Sequence, residues 1–248
     1  MKFDEDRDEV IQAMKESKIG TITVGTDLKN SKEAVDLANK HENLFTTIGL
    51  HPNDNHEEEF VAEEYEKLVQ NKKVVAIGEC GLDYARLENP EAEKKRQKGI
   101  FDQQIEFAVK HDKPLMIHCR DAYDDCLAIL KSKQQIYGQK VRGNFHFFTS
   151  PVEIAKQCLE IGFTVSFTGP ITFVSEYAEV VKYVPLEKMM AETDAPFAAP
   201  MPYRGQRNSP LYVQHIVKRM AEIKDLSLET VKKQLILNTF DLFLNKAS

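Results

Sequence analysis

Two carboxylates and two imidazoles close separate apolar runs in this chain of 248 residues. Val74-Val75-Ala76-Ile77 stops at Gly78-Glu79-Cys80-Gly81-Leu82-Asp83-Tyr84. Pro114-Leu115-Met116-Ile117 runs into His118, Gly143-Asn144-Phe145 into His146, and Met189-Met190-Ala191-Glu192-Thr193 into Asp194. The first, short, β-branched and ended by glycine, reads as a buried strand followed by a tight turn that leaves Glu79 at its carboxyl end, and the other three read as strands that end the same way. Carboxylate oxygens and imidazole nitrogens are the donors of a divalent-metal site. An unpaired carboxylate beside a buried strand would be costly or driven neutral, so Glu79 needs a cation there, either a metal or a neighbouring arginine or lysine. His118 or His146 taken singly also fits a buried histidine satisfied by backbone. All four at equivalent strand ends favour the metal. Asp194 lies just before the chain-stiffening Pro196.

Other residues suit a substrate. His51, in Gly49-Leu50-His51-Pro52, also closes a strand and is placed either to contact a phosphate or to sit in a solvated turn. Arg120, two residues after His118, and Arg204 and Arg207 in the loop 203–210 bring guanidinium groups toward the same rim. Arginine presents a planar fork of donors that matches phosphate; helix capping and surface ion pairing are the alternative for these positions. His41, His56, His111 and His215 stand among charged residues and read as surface. The four cysteines, at 80, 119, 126 and 158, form no Cys-x-x-Cys pair and read as reduced thiols, Cys80 and Cys119 as small buried residues turned away from the ligand that each follows.

Elements that would position these groups alternate along the whole chain. Helical spacing places Val10, Ile11 and Met14 on one face over residues 5–17, and a strand follows at 19–24. A helix at 31–41, a strand at 44–50, and a helix at 57–70 with Phe60, Val61, Tyr65, Leu68 and Val69 inward lead to the strand at Val74. The long helix at 90–111 starts on a proline. The rhythm continues with strands at Leu115, Phe145, 163–167 and Met189, and with helices at 121–133, 151–160 and 176–183. Amphipathic helices at 210–223, 227–237 and 238–244 finish the chain. Alternation at this spacing implies βαβ units and a parallel sheet, and functional groups at strand carboxyl ends suit a TIM-type (β/α) barrel. The runner-up is a doubly wound open sheet, for which no G-x-G-x-x-G or Walker-type motif is present. One domain over 1–248 is expected. Seven strands are visible and the chain opens on a helix, so a closed barrel would need one more strand before Glu5.

A net charge of -6 and a pI near 5.7 exclude a protein that coats nucleic acid through a broad basic face. They are compatible with a polyanion held by a metal and a few arginines. The charged start and the lack of any long apolar stretch predict a soluble protein of the cytoplasm, or of the nucleus in a eukaryote, with no membrane partner.

Taken in order, Gly49-Leu50-His51-Pro52, Gly78-Glu79-Cys80-Gly81-Leu82-Asp83-Tyr84, His118-Cys119-Arg120-Asp121-Ala122, His146-Phe147-Phe148, Glu192-Thr193-Asp194-Ala195-Pro196 and Arg204-Gly205-Gln206-Arg207-Asn208 resemble the successive signatures of the TatD family of metal-dependent deoxyribonucleases, which are amidohydrolase-like TIM barrels. The resemblance covers nearly the whole chain. It implies hydrolysis of DNA phosphodiesters, as an exonuclease, with one or two divalent cations (Mg, Zn or Mn). Glu79 would bridge two ions, His118 and His146 would complete one site, and Asp194 would serve the other, with Glu79 and Asp194 as the catalytic carboxylates, while His51, Arg120, Arg204 and Arg207 would grip the DNA. Two features depart from the family pattern. The family's first strand carries a His-x-His pair, yet no histidine precedes His41, and Phe147-Phe148-Thr149-Ser150 stands where cysteine-phenylalanine-serine-glycine is expected. Activity on another bond (amide, ester or lactone), a silent nucleic-acid- or protein-binding homologue, and a mis-assigned start codon are the competing expectations.

Overall fold

The computed structural model describes residues 3–53 and 58–245. In chain order the elements are α1 (Arg7–Glu16), β1 (Thr21–Thr23), α2 (Leu28–Lys40), β2 (Leu44–Ile48), α3 (Ala62–Val69), β3 (Val74–Asp83), α4 (Pro90–Lys110), β4 (Leu115–Arg120), α5 (Tyr123–Tyr137), β5 (Gly143–Phe145), α6 (Val152–Glu160), β6 (Thr164–Phe167), α7 (Glu176–Tyr183), β7 (Met189–Ala191), α8 (Val213–Lys224) and α9 (Leu228–Thr239). Every strand pair described is parallel. Strand and helix alternate throughout, the α/β pattern of a TIM-type (β/α) barrel. The chain divides into two compact units, one spanning Thr21–His146 and one joining the segment up to Gly20 with Phe147–Asn245.

In the first unit, β1 to β5 are neighbours in sequence order, with Thr21 opposite Leu44, Ile48 opposite Ile77, Gly81 opposite His118 and Ile117 opposite Phe145. Parallel strands are covered on both faces, which is why they read as unbroken apolar runs; Val74, Ala76, Ile77, Ile117 and Phe145 are fully buried. α2 starts where the Asp27 carboxylate accepts the Asn30 N–H at 2.6 Å, and it buries Ala34, Val35 and Ala38.

The long α4 carries two fully buried glutamines seven residues apart, Gln97 and Gln104. Gln97 accepts the Asp83 N–H at 2.8 Å and donates to the Asp83 carbonyl at 2.9 Å. Gln104 does the same for Leu50, at 2.8 and 2.9 Å. Each amide satisfies both backbone groups of one residue, so the far end of β3 and the residue before His51 are fixed to one rigid helix.

In the second unit, β6 and β7 pair with Phe167 opposite Ala191. α8 buries Ile216, Val217, Met220 and Ala221, and α9 starts at Ser227, whose hydroxyl accepts the Thr230 N–H at 3.1 Å. The end of the chain departs from the expected α-helix: Phe240–Leu244 forms a π-helical turn.

Three local expectations are corrected. The strand at Val74 does not turn after Ile77 but continues to Asp83, with its register against β4 shifting between Ile77 and Cys80. Gly78 (φ +156°) and Gly81 (φ +137°) let the backbone pass tightly against β4, where a Cβ would lie 2.5 Å from the Met116 carbonyl oxygen and 2.0 Å from that of His118. α3 starts at Ala62, so Val61 is its N-cap residue and is exposed rather than inward. The expected helix start at Glu57, and His56 beside it, lie outside the described residues. His111 is packed rather than solvated: its ring lies 4.5 Å from that of Phe107, with Nε2 3.1 Å from Glu66.

Candidate metal centre

Register builds the site. Gly81 faces His118 across the β3–β4 ladder, and the carboxylates of Glu79 and Asp83 stand two residues to either side of Gly81. Alternation puts residues 79, 81 and 83 on one face of the strand. The imidazole of His118 therefore lies between two acids: Nδ1 is 2.9 Å from Glu79 Oε1 and Nε2 is 3.0 Å from Asp83 Oδ2. His146, one residue past β5, brings Nε2 to 2.7 Å from the same Oε1. His51, three residues past β2, brings Nε2 to 3.4 Å from it. Its ring meets that of His118 edge-on, with centroids 4.5 Å apart.

One carboxylate oxygen is thus approached by three imidazoles in a nearly buried cradle, with the Glu79 side chain 12% exposed. Burial alone would raise the Glu79 carboxyl, but the charge of His146 and hydrogen bonds from His118, His146 and His51 outweigh it and hold the group well below the ordinary carboxylate range. Asp83 follows the same pattern: burial opposes, while hydrogen bonds from His118 and the Ala85 N–H, with the charges of His118 and Arg120, keep it lowered. Cys80 turns away and is buried; its thiol, 3.6 Å from the Met116 carbonyl oxygen, is pushed up by burial and then by the Glu79 charge, which makes it a poor nucleophile.

An anionic oxygen and several imidazole nitrogens within reach of one point form a donor set that Zn²⁺, Mn²⁺ or Mg²⁺ accepts. Ligand atoms of His51, Glu79 and His118 all lie within 4.8 Å of one another, so the residues present fit a metal ion. Of the four residues expected to hold a metal, Glu79, His118 and His146 are therefore brought together, and His51, expected only near substrate, joins them at the same oxygen. Asp83 had been given no role; its one sequence signal was the period-two spacing from Glu79 through Gly81. Arg120 is exposed at the last position of β4, its Cα opposite that of Asp83.

Asp194, Arg204 and Arg207 belong to the second unit. Asp194 follows β7 in a left-handed backbone conformation (φ +54°), and its carbonyl accepts the Phe197 N–H at 2.8 Å. Asn208, fully buried, clasps this turn by donating to the Thr193 and Phe197 carbonyls, both at 2.6 Å, while its own N–H donates to Pro196 O at 3.1 Å. Truncating Asn208→Ala leaves two part-buried carbonyls without these donors and is expected to cost about 1–2 kcal/mol in urea unfolding. A loss below about 0.5 kcal/mol would show that the turn holds itself.

Arg204 is exposed and stacks over Phe173, 4.2 Å from the ring centroid. Arg207 instead forms a two-pronged ion pair with Asp6 and lies over Phe3. A phosphate at Arg207 would have to displace that carboxylate.

The family model described as TatD related DNase matches residues 1–244. An uncharacterized metal-dependent hydrolase of Bacillus subtilis, YabD, is 37% identical over 93% of this chain and 89% of its own length. The 3'-5' ssDNA/RNA exonuclease TatD of Klebsiella pneumoniae is 31% identical, over 98% of this chain and 93% of its own. Among solved structures, the TatD homologue YJJV of Escherichia coli superposes with a TM-score of 0.89 at 26% identity, covering 98% of this chain and 94% of that one.

Proposed function

Because the chain belongs to the TatD-related family of metal-dependent hydrolases, we propose that it hydrolyses DNA phosphodiester bonds as an exonuclease using one or two divalent cations. The observation that carries this reading is the convergence of three imidazoles on the one Glu79 oxygen. Glu79, His118 and His146 would hold the cation, with Asp194 as the further acidic ligand. A bound divalent cation supplies Lewis acidity to a phosphoryl oxygen and lowers the pKa of water.

The chain's own groups supply the rest. Asp194 accepts the proton of the attacking water or fixes its orientation. His51, held between Glu79 and the Asn53 backbone, would stand beside the cation and share its Nε2 hydrogen bond between Glu79 and a phosphate oxygen. Arg204, exposed and braced by Phe173, and Arg120, also exposed, would supply guanidinium groups to the strand. On a protein of net charge -6, affinity rests on these few contacts and falls steeply with salt. Among the described residues no helix is long and apolar enough to cross a membrane.

End-labelled single-stranded DNA and RNA, incubated with the protein and Mg²⁺, Mn²⁺ or Zn²⁺ in turn, test the reading. The expected result is stepwise release of mononucleotides from one end, preferred on DNA and abolished by a chelator. No cleavage with any of the three metals, alongside hydrolysis of an aryl ester, lactone or dipeptide, would overturn it.

A further inference from the structure

No aspartate or glutamate occurs between Asp194 and Glu222, on a chain whose net charge is -6. That stretch carries Arg204, Arg207, Lys218 and Arg219 instead. Its first part also brings large apolar side chains to the surface: Phe197 is 57% exposed and Met201 47%. A surface that joins an exposed aromatic ring to cations, with acids excluded, suits a ligand that is both flat-faced and anionic.

The backbone holds these groups in place. The Phe197 N–H donates to the Asp194 carbonyl at 2.8 Å, and the Phe197 carbonyl accepts from Asn208 at 2.6 Å, so the ring is tied to the turn that presents Asp194. Gly169 lets the residues that follow pass close: a Cβ there would lie 2.0 Å from the Ala198 carbonyl oxygen and 2.8 Å from Pro200 N. The Met201 N–H donates to Thr172 Oγ1 at 2.9 Å. Segments 169–173 and 197–204 thus form one seam, on which Arg204 lies over the Phe173 ring, 4.2 Å from its centroid. The neighbouring tyrosines are already engaged, Tyr203 stacking on Tyr212 with centroids 3.8 Å and planes 4° apart.

We propose that Phe197 and the Arg204–Phe173 pair form a base-stacking platform for single-stranded nucleotides beside Asp194, so that the protein grips bases as well as phosphates. This deepens the nuclease reading above and rests on it. Every base has an aromatic face, so stacking on Phe197 holds a strand of any sequence. A guanidinium plane braced by a ring offers a base a second flat surface, while its charge serves the phosphates. Arginine and lysine alone would suffice for a site that met only phosphate. An exposed phenylalanine adds nothing to the affinity for an anion, but it adds much to the affinity for a base.

The chain contains no tryptophan, so Phe197→Trp places a single indole at the platform, where a stacked base quenches its emission. The probe is an oligothymidylate with phosphorothioate linkages, which resist hydrolysis, added in Mg²⁺ at low salt. The comparison is an oligomer of the same length and charge that carries no bases. Quenching by the first and not by the second is expected, and Ile136→Trp, on α5 at a position 66% exposed, is expected to respond to neither. Phe197→Ala is expected to weaken oligothymidylate binding about 5- to 100-fold and Phe197→Tyr by less than about 3-fold, both with unchanged Mn²⁺ affinity. Equal quenching by the two oligomers, quenching by neither, or parent-like binding by Phe197→Ala overturns the proposal. Emission that depends on protein concentration and not on oligothymidylate would assign the surface to a second copy of the chain and overturn it as well. Base-dependent quenching without release of mononucleotides from unmodified DNA would sink only the nuclease reading, and cleavage without base-dependent quenching would sink only this one.

Discussion

Replacing Glu79 by glutamine is expected to lower hydrolysis by roughly 10³-fold or more, about 4 kcal/mol of barrier, with an unchanged far-UV circular dichroism spectrum. The substitution keeps shape and volume and removes the charge. In the parent, Oε1 draws together His118 at 2.9 Å, His146 at 2.7 Å and His51 at 3.4 Å. A neutral amide attracts neither the imidazoles nor a cation comparably, and its NH₂ would confront ring nitrogens that now point at an acceptor. Binding of Zn²⁺ or Mn²⁺ should fall with activity. The checks are single-turnover cleavage of end-labelled DNA and calorimetric metal titration on the same preparations. Cleavage by Glu79→Gln at the parent rate would remove Glu79 from the site.

The largest effect on stability is expected from Gly81→Ala. An added Cβ would sit 2.0 Å from the carbonyl oxygen of His118, a backbone atom that cannot swing aside, at φ +137°, where side chains are strained. β3 and β4 would have to separate at the residues that hold Glu79, Asp83 and His118 in register. A loss above about 3 kcal/mol, or failure to accumulate as soluble protein, is expected. Gly99→Ala is the matched control. Gly99 lies within α4 with no atom within 4 Å of its would-be Cβ, so alanine should stabilise by about 0.5–1 kcal/mol. Urea midpoints of the two variants, measured side by side, distinguish a specific close approach from general sensitivity to losing a glycine. A Gly81→Ala midpoint at or above the parent's would refute the tight packing.

Much of the molecule was legible in the order of its residues. Seven apolar runs alternating with amphipathic segments set the class of fold, because a parallel strand covered on both sides leaves a continuous apolar run and a helix on a sheet leaves a stripe. Glu79, His118 and His146 stood out as polar groups following buried strands, where burial without a partner is expensive, and those three do meet.

Other features had no local trace. Gly78 and Gly81 looked like a turn, because glycine punctuates turns and close strand contacts alike, and only the presence of β4 at van der Waals distance decides between them. Arg207 had the composition of a phosphate ligand, but Asp6, 201 positions away, already holds its guanidinium. Asp83 meets His118 only because β3 lies against β4 in one register, and His51 meets Glu79 from beyond the end of β2. Residue types thus determined what chemistry the chain could perform. Strand register, which sets distances between residues tens of positions apart, decided which nitrogen of each histidine faces the common oxygen and what occupies its other side.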